Sequence, residues 1–228
     1  MYTHAVRELT GEEIVALTKK HTIFEWSAQS KADPIPVARA KGCWFWTPEE
    51  KRYLDFNSQL MCVNIGHGDE RVVRAIQEQA AKLAYISPFM ATEPRARLGE
   101  KLAQIAPGDI DTFFFTNGGA DANENAIRMA RLVTGRDKVI SRYRSYHGNT
   151  GAAIVATGDW RRIPNEYARG HVHIFGPYLY RSEFWARTPE QESGRALHHL
   201  ERVIQAEGPA TIAAILLETI PGTAGVLV

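Results

Sequence analysis

A short apolar segment followed by two glycines limits most strongly what this chain can fold into. The segment Thr112–Thr116 carries three phenylalanines and predicts a β-strand. Gly118 and Gly119 predict a tight turn, and the alanine-rich stretch 120–133 predicts a helix. A strand, a glycine turn and a helix in this order form the opening of an α/β unit.

The rest of the second half repeats this alternation. Strands are predicted at Lys138–Arg142 and Ile212–Glu218, and the second is apolar along nearly its whole length, which is typical of a strand covered on both faces. Helices are predicted at Gly151–Ala156 and Pro189–Ala206. The chain therefore predicts an α/β fold with a mainly parallel sheet and flanking helices.

The first half predicts helices and a hairpin. Apolar residues recur at helical spacing in Gly11–Lys20, Asp69–Leu83 and Glu93–Ile105. Aromatic and β-branched residues flank a turn-like stretch, so Ala40–Trp46 and Arg52–Phe56 are expected to pair as a β-hairpin.

Charge and composition exclude several classes of protein. Lys and Arg number 27 against 26 Asp and Glu, so no basic excess indicates a nucleic-acid partner. No apolar run reaches the roughly 18 residues of a membrane helix, and the acidic N-terminal stretch does not resemble a signal peptide. The spacing of Cys43 and Cys62 fits neither a metal site nor a disulfide framework. We therefore expect a cytoplasmic protein without a metal ion.

The turn at Gly118 and Gly119 suits a phosphate group. Glycines let the backbone approach a ligand closely, and the following helix presents unpaired N–H groups and the positive end of its dipole. No Gly-Lys-Ser/Thr sequence follows, as a P-loop requires, and three spaced glycines of a dinucleotide site are absent. A turn that binds nothing fits the spacing equally well, and a nucleotide-binding α/β domain is a further alternative.

Two later segments carry side chains suited to a planar ligand. Tyr146 offers an aromatic face, His147 can hydrogen-bond or titrate near neutral pH, and Gly148 leaves room for a ring. Glu218 ends a buried strand, at the sheet edge where ligands gather in open α/β folds. An ordinary surface loop at residues 143–150 and an acid that caps a neighbouring loop are the structural alternatives.

Taken together, these segments resemble the class III family of pyridoxal-phosphate (PLP) aminotransferases. Residues 116–124 are similar to the family's Thr-Asn-Ser-Gly-Ser-Glu-Ala-Asn, and residues 143–150 contain its Tyr-His-Gly. Residues 214–225 are similar to its Glu-Pro-x-x-Gly-x-x-Gly, with Thr219 where proline is usual. Residues 53–68 run from Tyr-Leu-Asp to Gly-His, as in the family.

The resemblance implies the aspartate aminotransferase-like fold, known as fold type I. Residues 1–68 then form the N-terminal segment of the small domain, with the hairpin. Residues 69–228 form the first part of the large PLP-binding domain, which is expected to be incomplete at its C-terminal end. The backbone amides of Gly119 and Ala120 would hold the PLP phosphate, with Gly118 in the position of a family serine. Ala120 also replaces a serine, so one side-chain hydrogen bond would be lost.

The resemblance assigns the remaining cofactor contacts to the two later segments. Tyr146 would stack on the pyridine ring, with His147 and Gly148 as its neighbours. Glu218 would lie near the cofactor without touching it. On the substrate side, Met61 stands where relatives often have tryptophan, and Phe89 matches a pocket aromatic that can reach across a homodimer interface. Packing in the protein core is an equally good interpretation of Met61 and Phe89.

The resemblance implies PLP-dependent transfer of an amino group from an amine or ω-amino acid to a 2-oxo acid such as pyruvate. This chemistry needs a Schiff-base lysine, which the family carries beyond the Glu-Pro segment. The lysines of this chain lie in segments matched to other roles. We therefore expect no catalytic residue in these 228 residues and activity only in a full-length enzyme. A same-fold aminomutase or decarboxylase, or a non-catalytic truncated protein, are the alternatives.

Overall fold

The structure, a computed structural model, describes residues 7–166 and 168–227. The chain divides into two compact units, Met1–Thr92 and Glu93–Val228. The expected division at residue 68 into parts of a small and a large domain stays a prediction about the complete fold.

The described residues of the first unit form two regular α-helices, a small antiparallel sheet, and short helical segments at Gln29–Lys31 and Ser58–Met61. Helix α1 (Gly11–His21) begins at a capping box in which Thr10 and Glu13 bond each other's backbone N–H groups. The sheet has the order β1 (Arg39–Lys41), β2 (Trp44–Trp46), β3 (Arg52–Leu54). Helix α2 (Glu70–Lys82) follows, with Asp69 as its N-cap.

The expected hairpin is a three-stranded sheet in the structure. The segment predicted as one strand, Ala40–Trp46, folds back on itself, so that Lys41 pairs with Trp44. Gly42 makes this possible because its φ of 59° lies in the left-handed region that favours glycine. The second predicted strand, Arg52–Phe56, is shortened to Arg52–Leu54 and pairs with Trp44–Trp46 as expected.

The second unit is an α/β structure. Its helices are α3 (Glu93–Ala103), α4 (Gly119–Thr134), α5 (Gly151–Ala156) and α6 (Pro189–Glu207). Its strands are β4 (Lys138–Arg142), β5 (His171–Ile174) and β6 (Ile212–Ile215), all parallel and in the order β5-β4-β6. Short 3₁₀ helices of this unit lie at Trp160–Asn165, Leu179–Arg181 and Pro209–Thr211.

The core of this unit lies around the central strand. Val139, Ile140 and Ser141 of β4 are fully buried, as is Ala153 of α5. The Ser141 hydroxyl donates a hydrogen bond of 2.7 Å to the carbonyl of Ala156, which satisfies a polar group inside the core. The parallel sheet with flanking helices confirms the predicted fold class.

Two strand predictions need correction, and one strand was not predicted. Thr112–Thr116 is not a strand, because no backbone among the described residues pairs with it in a ladder, and Phe114 is largely exposed. The strand predicted at Ile212–Glu218 ends at Ile215. The sequence interpretation also left His171–Ile174 unassigned, although it forms β5. No helix among residues 7–166 and 168–227 is long and apolar enough to cross a membrane.

Candidate functional site

Three of the segments singled out in the sequence meet beyond the carboxyl end of β4. The side-chain amide of Asn123, in helix α4, donates a hydrogen bond of 2.7 Å to the carbonyl of His147. The Glu218 carboxylate, beyond β6, accepts one of 2.9 Å from the backbone N–H of Tyr146. A Cβ atom at Gly148 would lie only 2.6 Å from the Cβ of Ala120. The glycine turn, the loop of residues 143–150 and the acid at the sheet edge therefore form one structure.

The glycine turn leaves the start of α4 open. Gly118 is the N-cap with an extended backbone, and among the described residues no side chain caps this terminus. The first bond of the helix runs from the N–H of Ala122 to the carbonyl of Gly118, so the N–H groups of Gly119, Ala120 and Asp121 precede the ladder. A Cβ atom at Gly118 or Gly119 would meet no protein atom within 4 Å. This geometry fits an anion at the helix terminus.

Tyr146 is held through both its backbone and its ring. Its N–H donates to Glu218, and the guanidinium of Arg161 lies 4.2 Å from the centroid of its ring. That distance is typical of a cation–π contact. Tyr146 itself is half-buried. The ring predicted to stack on a ligand is therefore already fixed by protein contacts.

His147 is buried, with 6% of its surface exposed. Its backbone N–H donates a 3.0 Å hydrogen bond to the Thr157 hydroxyl, whereas its Nε2 atom has no hydrogen-bond partner among the described residues. Burial lowers the pKa of His147, and the negative charge of Glu218 opposes that shift. The ring is therefore neutral at neutral pH and offers a buried polar atom to a further group.

Gly148 has a structural reason to be glycine. Its φ is 132°, and the space in front of its Cα is filled by Ala120 and by the buried Ala153. The room that the sequence suggested for a ligand ring is used, at least on this side, by helices α4 and α5. The loop can approach the start of α4 only because this residue lacks a side chain.

Glu218 uses both carboxylate oxygens on backbone groups. Oε1 accepts from Tyr146, and Oε2 accepts from the N–H of Gly222 at 3.2 Å. The guanidinium of the buried Arg142 donates a 2.6 Å hydrogen bond to the backbone carbonyl of Glu218. The Glu218 carboxylate therefore connects the loop of residues 143–150 to the turn at Gly222, beyond the end of β6.

Glu124 also connects two elements, in a way that the sequence did not indicate. Its carboxylate accepts hydrogen bonds from the Thr150 hydroxyl at 2.7 Å and the Ala153 N–H at 3.0 Å. Burial opposes ionisation of Glu124, but these bonds outweigh it and keep its pKa below the usual range. The acid of one helix thus caps the start of the next helix, α5.

The two predicted substrate-side residues lie in the first compact unit. Met61 belongs to a left-handed turn, Ser58–Met61, in which all four residues have positive φ. Met61 is 58% exposed and Phe89 is 95% exposed. Neither side chain is therefore part of a core formed by the described residues. Their role at a substrate pocket stays a prediction.

Sequence reasoning missed Arg161, which lies over the Tyr146 ring, and Asp159, which binds Arg161. They lie in the short run Asp159-Trp160-Arg161-Arg162, well beyond the loop they support. The available signal was that three of these four residues are charged although they follow a buried helix. Only the folded chain shows which aromatic ring they reach.

Residues 26–228 match the family described as Aminotransferase class-III. The chain belongs to this family. A solved structure of taurine:2-oxoglutarate aminotransferase from Bifidobacterium kashiwanohense, in complex with PLP and glutamate, is 43% identical with a TM-score of 0.92. It aligns over 98% of this chain and 51% of that one. An (S)-enantioselective omega-transaminase from Thermomicrobium roseum is 35% identical with a TM-score of 0.90, over 97% of this chain and 52% of that one.

A curated relative gives the same result from sequence alone. An uncharacterized aminotransferase of Bacillus subtilis is 36% identical over 96% of this chain and 51% of its own length. The chain thus spans about half the length of the relatives it matches. The family resemblance and the fold type I architecture predicted from the motifs are confirmed.

Proposed function

We propose that this chain forms the phosphate-binding and ring-binding part of a PLP-dependent aminotransferase. The observation that carries the proposal is the open start of α4, with its uncapped N–H groups and two glycines, joined through Asn123 and Ala120 to the loop that carries Tyr146. A phosphate at such a terminus needs no lysine or arginine. The Tyr146 ring, held nearby, supplies the flat partner that a pyridine ring requires.

The residues of this chain would bind and orient the cofactor. The amides of Gly119 and Ala120, with Gly118 before them, would hold the phosphate, and Tyr146 would stack on the ring. His147 would present a neutral imidazole, while Gly148 and Glu218 would fix the loop. When bound, PLP supplies the electron sink that transamination requires.

The overall reaction we propose is amino transfer from an amine or ω-amino acid to a 2-oxo acid such as pyruvate. It would require the full-length enzyme, because no lysine in these 228 residues lies in a segment similar to the family's cofactor-binding turn. The relative that acts on taurine supports an ω-amino donor class. Met61 and Phe89 would shape the substrate pocket. The same relative uses 2-oxoglutarate, so the acceptor must be tested against pyruvate.

We also propose a homodimer in the cytoplasm. Phe89 is nearly fully exposed and lies in a segment with three further exposed apolar residues, Tyr85, Ile86 and Met90, which supports a partner surface. The free cysteines Cys43 and Cys62 suit a reducing compartment. A same-fold aminomutase or decarboxylase, or a non-catalytic truncated protein, would be the competing outcomes.

The decisive experiment uses the full-length protein incubated with PLP. We expect a visible absorbance band and irreversible fixation of the cofactor by borohydride. Purified holoenzyme is then assayed with a panel of amines, ω-amino acids and taurine, once with pyruvate and once with 2-oxoglutarate. Absence of the band and of fixation would exclude the enzyme. A band without amino transfer to either acceptor would favour the aminomutase or decarboxylase.

A further inference from the structure

We propose that Arg161, clamped by Asp159, is a positioning residue that holds the Tyr146 ring for the cofactor. The inference rests on the proposed PLP site and adds a residue to it. The Arg161 guanidinium lies 4.2 Å from the centroid of the Tyr146 ring. It therefore covers one face of the ring, and stacking on a ligand can use only the other face.

Arg161 is itself fixed in place. Its Nε lies 3.0 Å from both carboxylate oxygens of Asp159, and its Nη2 lies 2.5 Å from Oδ2. Only 14% of the Arg161 side chain and 21% of the Asp159 side chain are exposed. A charge pair with several contacts and little solvent holds its geometry better than an exposed pair does.

Asp159 is in turn tied to the backbone. It accepts a 3.0 Å hydrogen bond from the N–H of Arg161 and so caps the 3₁₀ helix Trp160–Asn165. Burial opposes ionisation of Asp159, but its hydrogen bonds to Arg161 outweigh burial and lower its pKa. The carboxylate therefore stays charged at neutral pH and remains paired with the Arg161 guanidinium.

The same guanidinium reaches the loop that follows Glu218. Its Nη2 lies 3.5 Å from the hydroxyl of Thr223, in the turn whose Gly222 N–H binds Glu218. Glu218 holds the backbone of Tyr146, and Arg161 holds the ring. An aromatic residue on a loop is thus oriented before any ligand arrives, which reduces the entropy lost on binding.

The test measures PLP affinity in the full-length holoenzyme, by cofactor removal and titration, for Arg161→Met and Arg161→Lys. Loss of a cation–π contact should raise the Kd for PLP roughly 3- to 30-fold in Arg161→Met. Arg161→Lys keeps the charge but loses the planar fork, so we expect only partial rescue. The absorption spectrum of the bound cofactor is recorded as a second readout, since a displaced ring changes its environment.

Arg162→Met is the matched control. Arg162 lies in the same 3₁₀ helix, and its guanidinium lies over Tyr143 at 5.5 Å rather than over Tyr146. It binds the backbone carbonyl of Asp159 and the Glu166 carboxylate, whereas Arg161 binds the Asp159 carboxylate. Removing Arg162 deletes the same charge and a similar stem, so a general loss of stability would affect both variants. We expect its Kd and spectrum to match those of the wild type.

A double-mutant cycle separates positioning from a structural role. The effect of Arg161→Met should persist in a Tyr146→Phe background, which keeps the ring, and vanish in a Tyr146→Leu background. An effect of equal size in the Leu background would overturn the inference, as would unchanged or tighter binding in Arg161→Met. A wild-type protein that fails to bind PLP would instead refute the proposed function on which the inference depends.

Discussion

Replacing Gly148 by alanine tests the closest packing contact in the candidate site. The new Cβ atom would lie 2.6 Å from the Cβ of Ala120, 2.8 Å from its Cα and 3.0 Å from the Cβ of Ala153. None of these atoms is the end of a flexible side chain. Ala153 is fully buried, and Ala120 lies in the first turn of α4, so relief requires a shift of one helix or of the loop.

The expected cost has two parts. A φ of 132° is strained for any residue with a side chain, which costs about 1–3 kcal/mol. Forcing a methyl group into a packed interior costs about 1–3 kcal/mol more. For Gly148→Ala we therefore expect a loss of roughly 2–6 kcal/mol in the free energy of unfolding. Since the displaced element starts with Gly119 and Ala120, binding of PLP should weaken as well.

The measurement is urea denaturation of the full-length protein, monitored by tryptophan fluorescence. Gly119→Ala is the control, because a Cβ atom there meets nothing within 4 Å and the residue starts a helix. We expect its stability to change by no more than about 0.5 kcal/mol. If Gly148→Ala unfolds at the same urea concentration as the wild type, the close approach of the loop to α4 does not exist in solution.

Two further predictions concern the phosphate turn and three buried or half-buried histidines. Gly119→Val should leave the fold intact, because the new side chain starts in open space. It should weaken PLP binding at least tenfold, because the side chain blocks the approach of the phosphate. An unchanged Kd for PLP would count against the phosphate assignment. Burial lowers the pKa of His147, His171 and His173, that of His171 to about 4 from 6.5. Between these values the unfolded chain binds more protons, so stability should fall as the pH drops from 6.5 towards 4, by about 1–2 kcal/mol for His171 after allowance for its solvent access. A urea midpoint that rises as the pH falls from 6.5 to about 5.5 would contradict that sign; the test uses this upper part of the range because Asp and Glu titrate near pH 4, where they change stability as well.

Helices were predictable because their signals are local. The spacing of apolar residues placed α2, α4 and α6 within one or two residues of their observed ends. Thr112–Thr116 shows the limit of this reasoning, since a strand exists only where another backbone completes its ladder. The opposite error occurred at His171–Ile174, where four residues form a strand because β4, more than thirty positions earlier, supplies the partner.

The candidate site divides in the same way. Motif chemistry pointed to Gly119 and Tyr146, but not to the contacts that hold them. The sequence suggested that Gly148 leaves space for a ligand ring. In the structure Gly148 packs against Ala120, 28 positions earlier in the chain, and no local pattern indicates such a contact. The left-handed turn at Ser58–Met61 was not predictable, because residues with side chains avoid that conformation and no glycine marks it.

Glu218 shows how the structure changes the meaning of a motif residue. The resemblance places an acid near the cofactor, yet both of its oxygens are occupied by the N–H groups of Tyr146 and Gly222. Because both oxygens bind backbone groups, we expect Glu218 to influence a ligand by orienting Tyr146 rather than by direct contact. Tyr146 is then the point at which Glu218 and Arg161 converge, one on the backbone and one on the ring. Residues from three separate segments therefore meet at that single aromatic side chain, and one of them, Arg161, lies outside every motif that the sequence offered.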